Sequence, residues 1–127
     1  MALDHEPMTV LYKEPYEPPR VITISNTLEQ LQRMVNGNIE VITAVTYLGS
    51  LRYIIAICDE EAKLKQPKPF PNLLLKSLFK RPDIVRGPVV ICAAAGEEFD
   101  GLTEDEMQIA KSWLRIVEIV KGVGNDD

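Results

Sequence analysis

The stretch from Gly87 to Gly122, GPVVICAAAGEEFDGLTEDEMQIAKSWLRIVEIVKG, constrains this chain more than any other part of it. Val89 to Ala95 is a nearly continuous apolar run, the pattern of a strand covered on both faces or lying mid-sheet. Its three alanines leave room for a helix to pack closely. After an acidic turn comes the clearest helix start in the sequence. Thr103 and Glu106 have capping-box spacing, and Leu102 and Met107 occupy the two places of a hydrophobic staple. Glu104, Asp105 and Glu106 suit the positive end of a helix dipole and Lys121 the negative end, with Gly122 as the stop. Met107, Ala110, Leu114 and Val117 form one apolar stripe. Ile109, Trp113, Ile116 and Val120 form a second beside it, which is either core or an interface with a partner or a second copy.

Upstream segments are read around that unit. Met8–Lys13 and Val21–Ile24 are β-prone, and EPYEPPR between them is too rich in proline for a sheet ladder. In SNTLEQLQRMVNG, Leu28, Leu31, Met34 and Val35 keep helical spacing, Asn26 or Thr27 caps the start, and Gly37 fits a left-handed stop. Asn38–Leu48 and Leu51–Cys58 are rich in β-branched residues, with Gly49-Ser50 as the hairpin signal. Asn72–Lys80 (NLLLKSLFK) reads as a short helix ended by Pro82. The predicted order is β-β-α-β-β-(short α)-β-α. This is an α+β fold, a mostly antiparallel sheet of about five strands with two main helices on one face. Residues 8–122 form one domain, flanked by tails at 1–7 and 123–127.

With 127 residues, one hydrophobic core is the natural outcome. The formal charge of −5 argues against a general nucleic-acid binder. No secretory leader or membrane span is read, so a cytoplasmic protein with reduced, core-buried Cys58 and Cys92 is expected. The sole histidine, His5, lies in the expected tail, which leaves no Cys-His or Ser-His pair to build. Gly87, Gly96 and Gly101 match no phosphate loop. The expectation is a non-enzymatic protein without cofactor or metal.

Three surface features remain. Glu97, Glu98, Asp100, Glu104, Asp105 and Glu106 form an acidic run. Part of it is explained by helix capping, yet the run could also face a DNA-binding protein partner in the manner of a phosphate backbone. Residues 63–86 carry seven basic side chains against Asp83 alone. Lys76, Lys80, Arg81 and Arg86 are therefore the candidates for binding a nucleotide or nucleic acid, with Phe70 and Phe79 for stacking. A solvated, proline-stiffened loop accounts for the same residues without a ligand. The third feature is the second helical stripe.

The sequence KEPYEPPRVITISNTLEQLQRMVNGNIEVI resembles the opening of the family known as domain of unknown function 3846: an EP turn, a strand, a Leu-x-x-Leu helix ending at Gly, then Ile-Glu-Val. ICDEEAKL is similar to that family's Asn-Glu-Glu-Gly-Lys-Leu turn, Pro71-Asn72 to its Pro-x-Asn element, and IVRGPVVICAAAGEEFDGLTEDEM to its Ile-x-Gly strand and Phe-x-x-Leu-Thr helix start. Asp59, Ala62 and Leu73 depart from the usual Asn, Gly and Arg. The resemblance implies a small accessory protein of a bacteriophage or mobile element, acting in a bacterial cytoplasm on a host protein such as a defence factor of the restriction or CRISPR type. The alternative is a nucleotide or nucleic-acid module built on residues 63–86.

Overall fold

The computed structural model describes residues 6–46, 51–77 and 80–121, with only the backbone of 43–46, 76–77 and 80–82. His5, the Gly49-Ser50 turn, Phe79, Gly122 and the tail beyond it lie outside the described residues.

Strand β7 (Val89–Ala95) is the middle of the main sheet, whose order is β2-β1-β7-β4-β3 with every neighbouring pair antiparallel. The partners are β1 (Pro7–Lys13), β2 (Arg20–Ser25), β3 (Ile39–Thr46) and β4 (Arg52–Asp59). A short β8 (Glu98–Asp100) folds back on the end of β7 that β1 leaves uncovered. The central position explains the unbroken apolar run, because side chains alternate faces and both faces here are buried. Val89, Ile91 and Ala93 join one core with Leu11, Ile54, Ala56 and Cys58. Val90 and Cys92 join the other with Met8, Val10, Ile55 and Ile57.

The helices lie on opposite faces of the sheet, not on one. Helix α1 (Leu28–Val35) buries Leu31 and Val35 in the second core, while α2 (Glu104–Val117) buries Met107, Ala110 and Leu114 in the first. A sheet whose central strands are apolar on both sides needs cover on both, which a single layer of helices cannot supply. Thr27 caps α1, accepting from the Gln30 amide. The left-handed residue at the helix end is Asn36 (φ 65°), with Gly37 one place later. Gly37 has a different constraint: a Cβ there would sit 2.3 Å from Asp59 Oδ1.

The capping box of α2 is present in full. Thr103 Oγ1 accepts from the Glu106 amide at 3.2 Å, and Glu106 Oε1 accepts from the Thr103 amide at 2.9 Å. Thr103→Ala is expected to cost about 1 kcal/mol in chemical denaturation without altering the fold. The staple residues Leu102 and Met107 are both buried. Helix α2 stops at Val117, short of Gly122, because the following residues are claimed by another strand. Glu118 turns extended and bridges Leu73, and the Ile119 amide donates to the Asn72 carbonyl.

That strand is the main departure from the sequence reading. Strands β5 (Pro71–Ser77) and β6 (Lys80–Arg86) pair antiparallel, so the described part of the span read as a short helix over 72–80 is extended instead. Three leucines in a row fit either period. Pairing decides it, with Leu73 fully buried, Leu74 exposed and Leu75 packed inward. Pro82 is tolerated in β6 because it falls where the register slips, between Leu75–Asp83 and Ser77–Lys80. The pair joins α2 over the first core, to which it gives Leu73 and Val85.

Candidate functional site: an acidic turn pinned by Arg52

The end of the sheet where β7 gives way to β8 and α2 collects the acidic run. Antiparallel pairing sets Arg52, the first residue of β4, opposite Ala95, the last of β7. From there its guanidinium reaches three points of the turn. Nε and Nη2 donate to the two Glu106 carboxylate oxygens at 2.9 and 3.0 Å, Nη1 donates to Asp100 Oδ2 at 2.8 Å, and Nη2 also donates to the Gly101 carbonyl at 2.8 Å. A planar fork meeting a carboxylate in this two-point manner fixes both groups.

The Glu106 side chain is only 4% exposed. Burial pushes its carboxyl upward, but the hydrogen bonds from Arg52 and from the Thr103 amide outweigh burial and hold it below the usual carboxylate range. Asp100 is lowered too, first by the Arg52 hydrogen bond. Arg52 in turn is held above its ordinary value, chiefly by its hydrogen bond to Glu106. Gly101 completes the junction. A Cβ there would come within 2.9 Å of the Thr9 amide nitrogen, and the Leu102 amide donates to the Thr9 carbonyl. Two of the six acids are thus internal fastenings. Glu97, Glu98, Glu104 and Asp105 are exposed, with no ion pair among the described residues. Arg52 carried no signal in the sequence, since its partners lie 48 to 54 residues away and only strand register brings them together.

The basic segment is anchored at the opposite end of the sheet. Gly87 donates from its amide to Phe70 O, and Arg86 Nη1 donates to Pro69 O. Most of its described cations are engaged within the chain: Lys63 pairs with Asp83, and Lys65 with Asp59 and the Asn36 carbonyl. Carboxylates are interleaved there, Glu40, Glu60 and Asp83 among them. The side chains of Lys76, Lys80 and Arg81 lie outside the described residues. Phe70 is 66% exposed and leans on Tyr16, with ring centroids 5.7 Å apart.

Beside this segment is a buried polar knot that sequence reading missed. Lys13 is 1% exposed and Asn72 fully buried. Lys13 Nζ donates to Asn72 Oδ1 at 3.1 Å and to Glu14 O at 2.9 Å, while Asn72 Nδ2 donates to the carbonyls of Lys13 and Gly87, each at 2.8 Å. Burial lowers the Lys13 ammonium, opposed by the charges of Glu118 and Glu17. The knot ties β1, β5 and the entry to β7 together.

The second stripe of α2 does not run as one face. Ile109 and Trp113 pack against the core, Ile116 is 82% exposed, and Val120 lies beyond the helix end. Burial pushes the Cys58 and Cys92 thiols up to about 12, far from nucleophilic character at neutral pH. They sit in different cores and are unpaired. Among the described residues no group of three or more His, Cys, Asp or Glu is placed to hold a metal, and no helix is long and apolar enough to cross a membrane.

No curated protein and no solved structure matches this sequence. A family model described as Domain of unknown function (DUF3846) matches residues 8–115. That span takes in both cores, the Arg52 clamp and the Lys13–Asn72 knot, and the chain belongs to this family.

Proposed function

We propose that this chain is a non-enzymatic protein-binding module that offers its acidic turn to a basic surface on a bacterial host protein. The setting is the cytoplasm of a cell carrying a phage or mobile element, and a defence factor that itself grips nucleic acid is the fitting kind of partner. The observation that carries this reading is the arrangement of charge at the β8–α2 junction. Four exposed carboxylates, Glu97, Glu98, Glu104 and Asp105, project from a turn whose backbone Arg52 holds at Gly101 and whose first helical turn it holds through Glu106. A surface fixed before binding loses little conformational freedom on association, which favours affinity. The nucleotide or nucleic-acid reading, built on Lys76, Lys80, Arg81 and Arg86, has less behind it, because Lys63, Lys65 and Arg86 of that segment make contacts inside the chain.

The test is affinity capture from bacterial lysate with the wild-type chain and with a variant carrying E97K, E98K, E104K and D105K. A protein retained by the wild type, released by added salt and bound at least about tenfold more weakly by the variant is the expected result. Equal capture by both, or tight low-salt binding of DNA or RNA by the wild type, would overturn the reading.

A further inference from the structure

At the far end of β4 from the acidic turn, the start of β3, the turn after β4 and strand β6 enclose a cleft of about 270 Å³. Ile42, Cys58, Ala62 and Val85 supply apolar lining. Register sets Glu40 beside Cys58, so its carboxylate stands on the same face of the sheet as the thiol, and Glu60 follows at the strand's end.

The charges around the cleft are not balanced. Asp59 is engaged by the Glu61 amide at 3.0 Å and by Lys65, and Asp83 by Lys63. Lys63 and Arg86 also line the cleft, against the four carboxylates of Glu40, Asp59, Glu60 and Asp83, and Arg86 spends one guanidinium nitrogen on the Pro69 carbonyl. Glu40 and Glu60 are exposed, with no ion pair among the described residues. The field at the lining is correspondingly negative: after burial itself, Glu40, Asp59 and Asp83 all act to raise the Cys58 thiol, with only Lys63 opposing. An apolar lining beneath an excess of carboxylates, two of them without an ion pair among the described residues, complements a cation carried on an apolar stem. The volume falls just below the roughly 300 Å³ at which pockets for whole small-molecule ligands begin, which suits one side chain or a small organic cation better than a nucleotide.

We propose that this cleft binds an organic cation on an aliphatic stem, either an arginine or lysine side chain of a protein or a free polyamine. It lies at the opposite end of the sheet from the acidic turn and stands independently of that site. The experiment is a ¹H–¹⁵N NMR titration of the full chain with N-acetyl-arginine amide, spermidine and, as control, N-acetyl-glutamate. Both cations are expected to shift the amides of Glu40, Cys58, Glu60 and Val85, with the control silent. Tighter binding of the blocked arginine assigns the cleft to a protein side chain, and tighter binding of spermidine to a free polyamine. E40Q with E60Q, which keeps the shape of both exposed side chains, is expected to weaken the cation about tenfold. The charge-reversed acidic-turn variant should leave the titration unchanged, so the two sites fail or succeed separately. No shift at these amides, equal shifts with N-acetyl-glutamate, or undiminished binding by the double variant would overturn the proposal.

Discussion

Replacing Arg52 with Ala is expected to lower the unfolding free energy by about 3 kcal/mol, with a fall in melting temperature of roughly 10 °C. The loss is large because the variant leaves Glu106, whose side chain is 4% exposed, as a buried carboxylate with only capping donors from the Thr103 side. R52K should recover part of it, since one ammonium cannot meet both Glu106 oxygens, Asp100 and the Gly101 carbonyl at once. The pH dependence has a definite sign. Glu106 and Asp100 both have folded values below their unfolded ones. Their contribution is complete above about pH 5 and is lost as pH falls through the lower folded values. Denaturant titrations at pH 7 and pH 3 check this. The gap between wild type and R52A should narrow in acid, where Glu106 becomes neutral in the variant at little cost. A gap that stays constant, or R52A as stable as wild type at pH 7, would contradict the clamp. If the acidic turn is the binding surface proposed above, the same variant should also weaken host-protein capture even with all four outward carboxylates in place.

Asn72→Ala should be destabilising to a similar degree, about 3 kcal/mol, without touching a charged surface. Its amide group donates to two carbonyls, Lys13 O and Gly87 O, and its oxygen accepts from the Lys13 ammonium, all in a site closed to solvent. Truncation leaves buried acceptors without donors and the ammonium with Glu14 O alone. Lys13→Met is the informative companion. It removes the buried charge while filling similar space, so it should cost less than N72A, and the two should be strongly non-additive in a double-mutant cycle. Additive losses would mean that the two side chains do not act as one network. Hydrogen exchange adds a local readout: the Ile119 amide, bonded to the Asn72 carbonyl, should lose protection in N72A as β5 loosens from its neighbours.

Where sequence reading succeeded, the controlling interaction was local. Thr103 and Glu106 are three residues apart, and their reciprocal hydrogen bonds form in any context that lets the helix start. Thr27 and Gln30 set the start of α1 by the same logic. The apolar run of β7 was legible because burial on both faces leaves no polar position to break it. The hairpin of β3 and β4 followed from two β-branched runs close in sequence. Leu73 to Leu75 failed because a short leucine run is compatible with both periods, and the deciding partner, β6, contributes cross-strand bonds that no propensity records. Helix α2 was drawn too long because its final turn competes with the Leu73–Glu118 bridge and the Ile119 to Asn72 hydrogen bond, both more than forty residues away in sequence.

The same division holds for the functional surfaces. The α+β class, the helix starts, the central strand and the acidic run next to a capped helix were all legible in the residues alone, since each depends on positions close to one another in the chain. Which acids are free to meet a partner depends on contacts made across the sheet. Arg52 engages Asp100 at the surface and Glu106 in the interior, and leaves Glu97, Glu98, Glu104 and Asp105 unpaired in solvent among the described residues. The fold likewise pairs Lys63 with Asp83 and Lys65 with Asp59, turning a basic segment into a mixed-charge rim around a cleft. The physical reason is common to both. A charge in sequence is a formal count, whereas its availability to a partner depends on counter-charges that strand register delivers from distant parts of the chain.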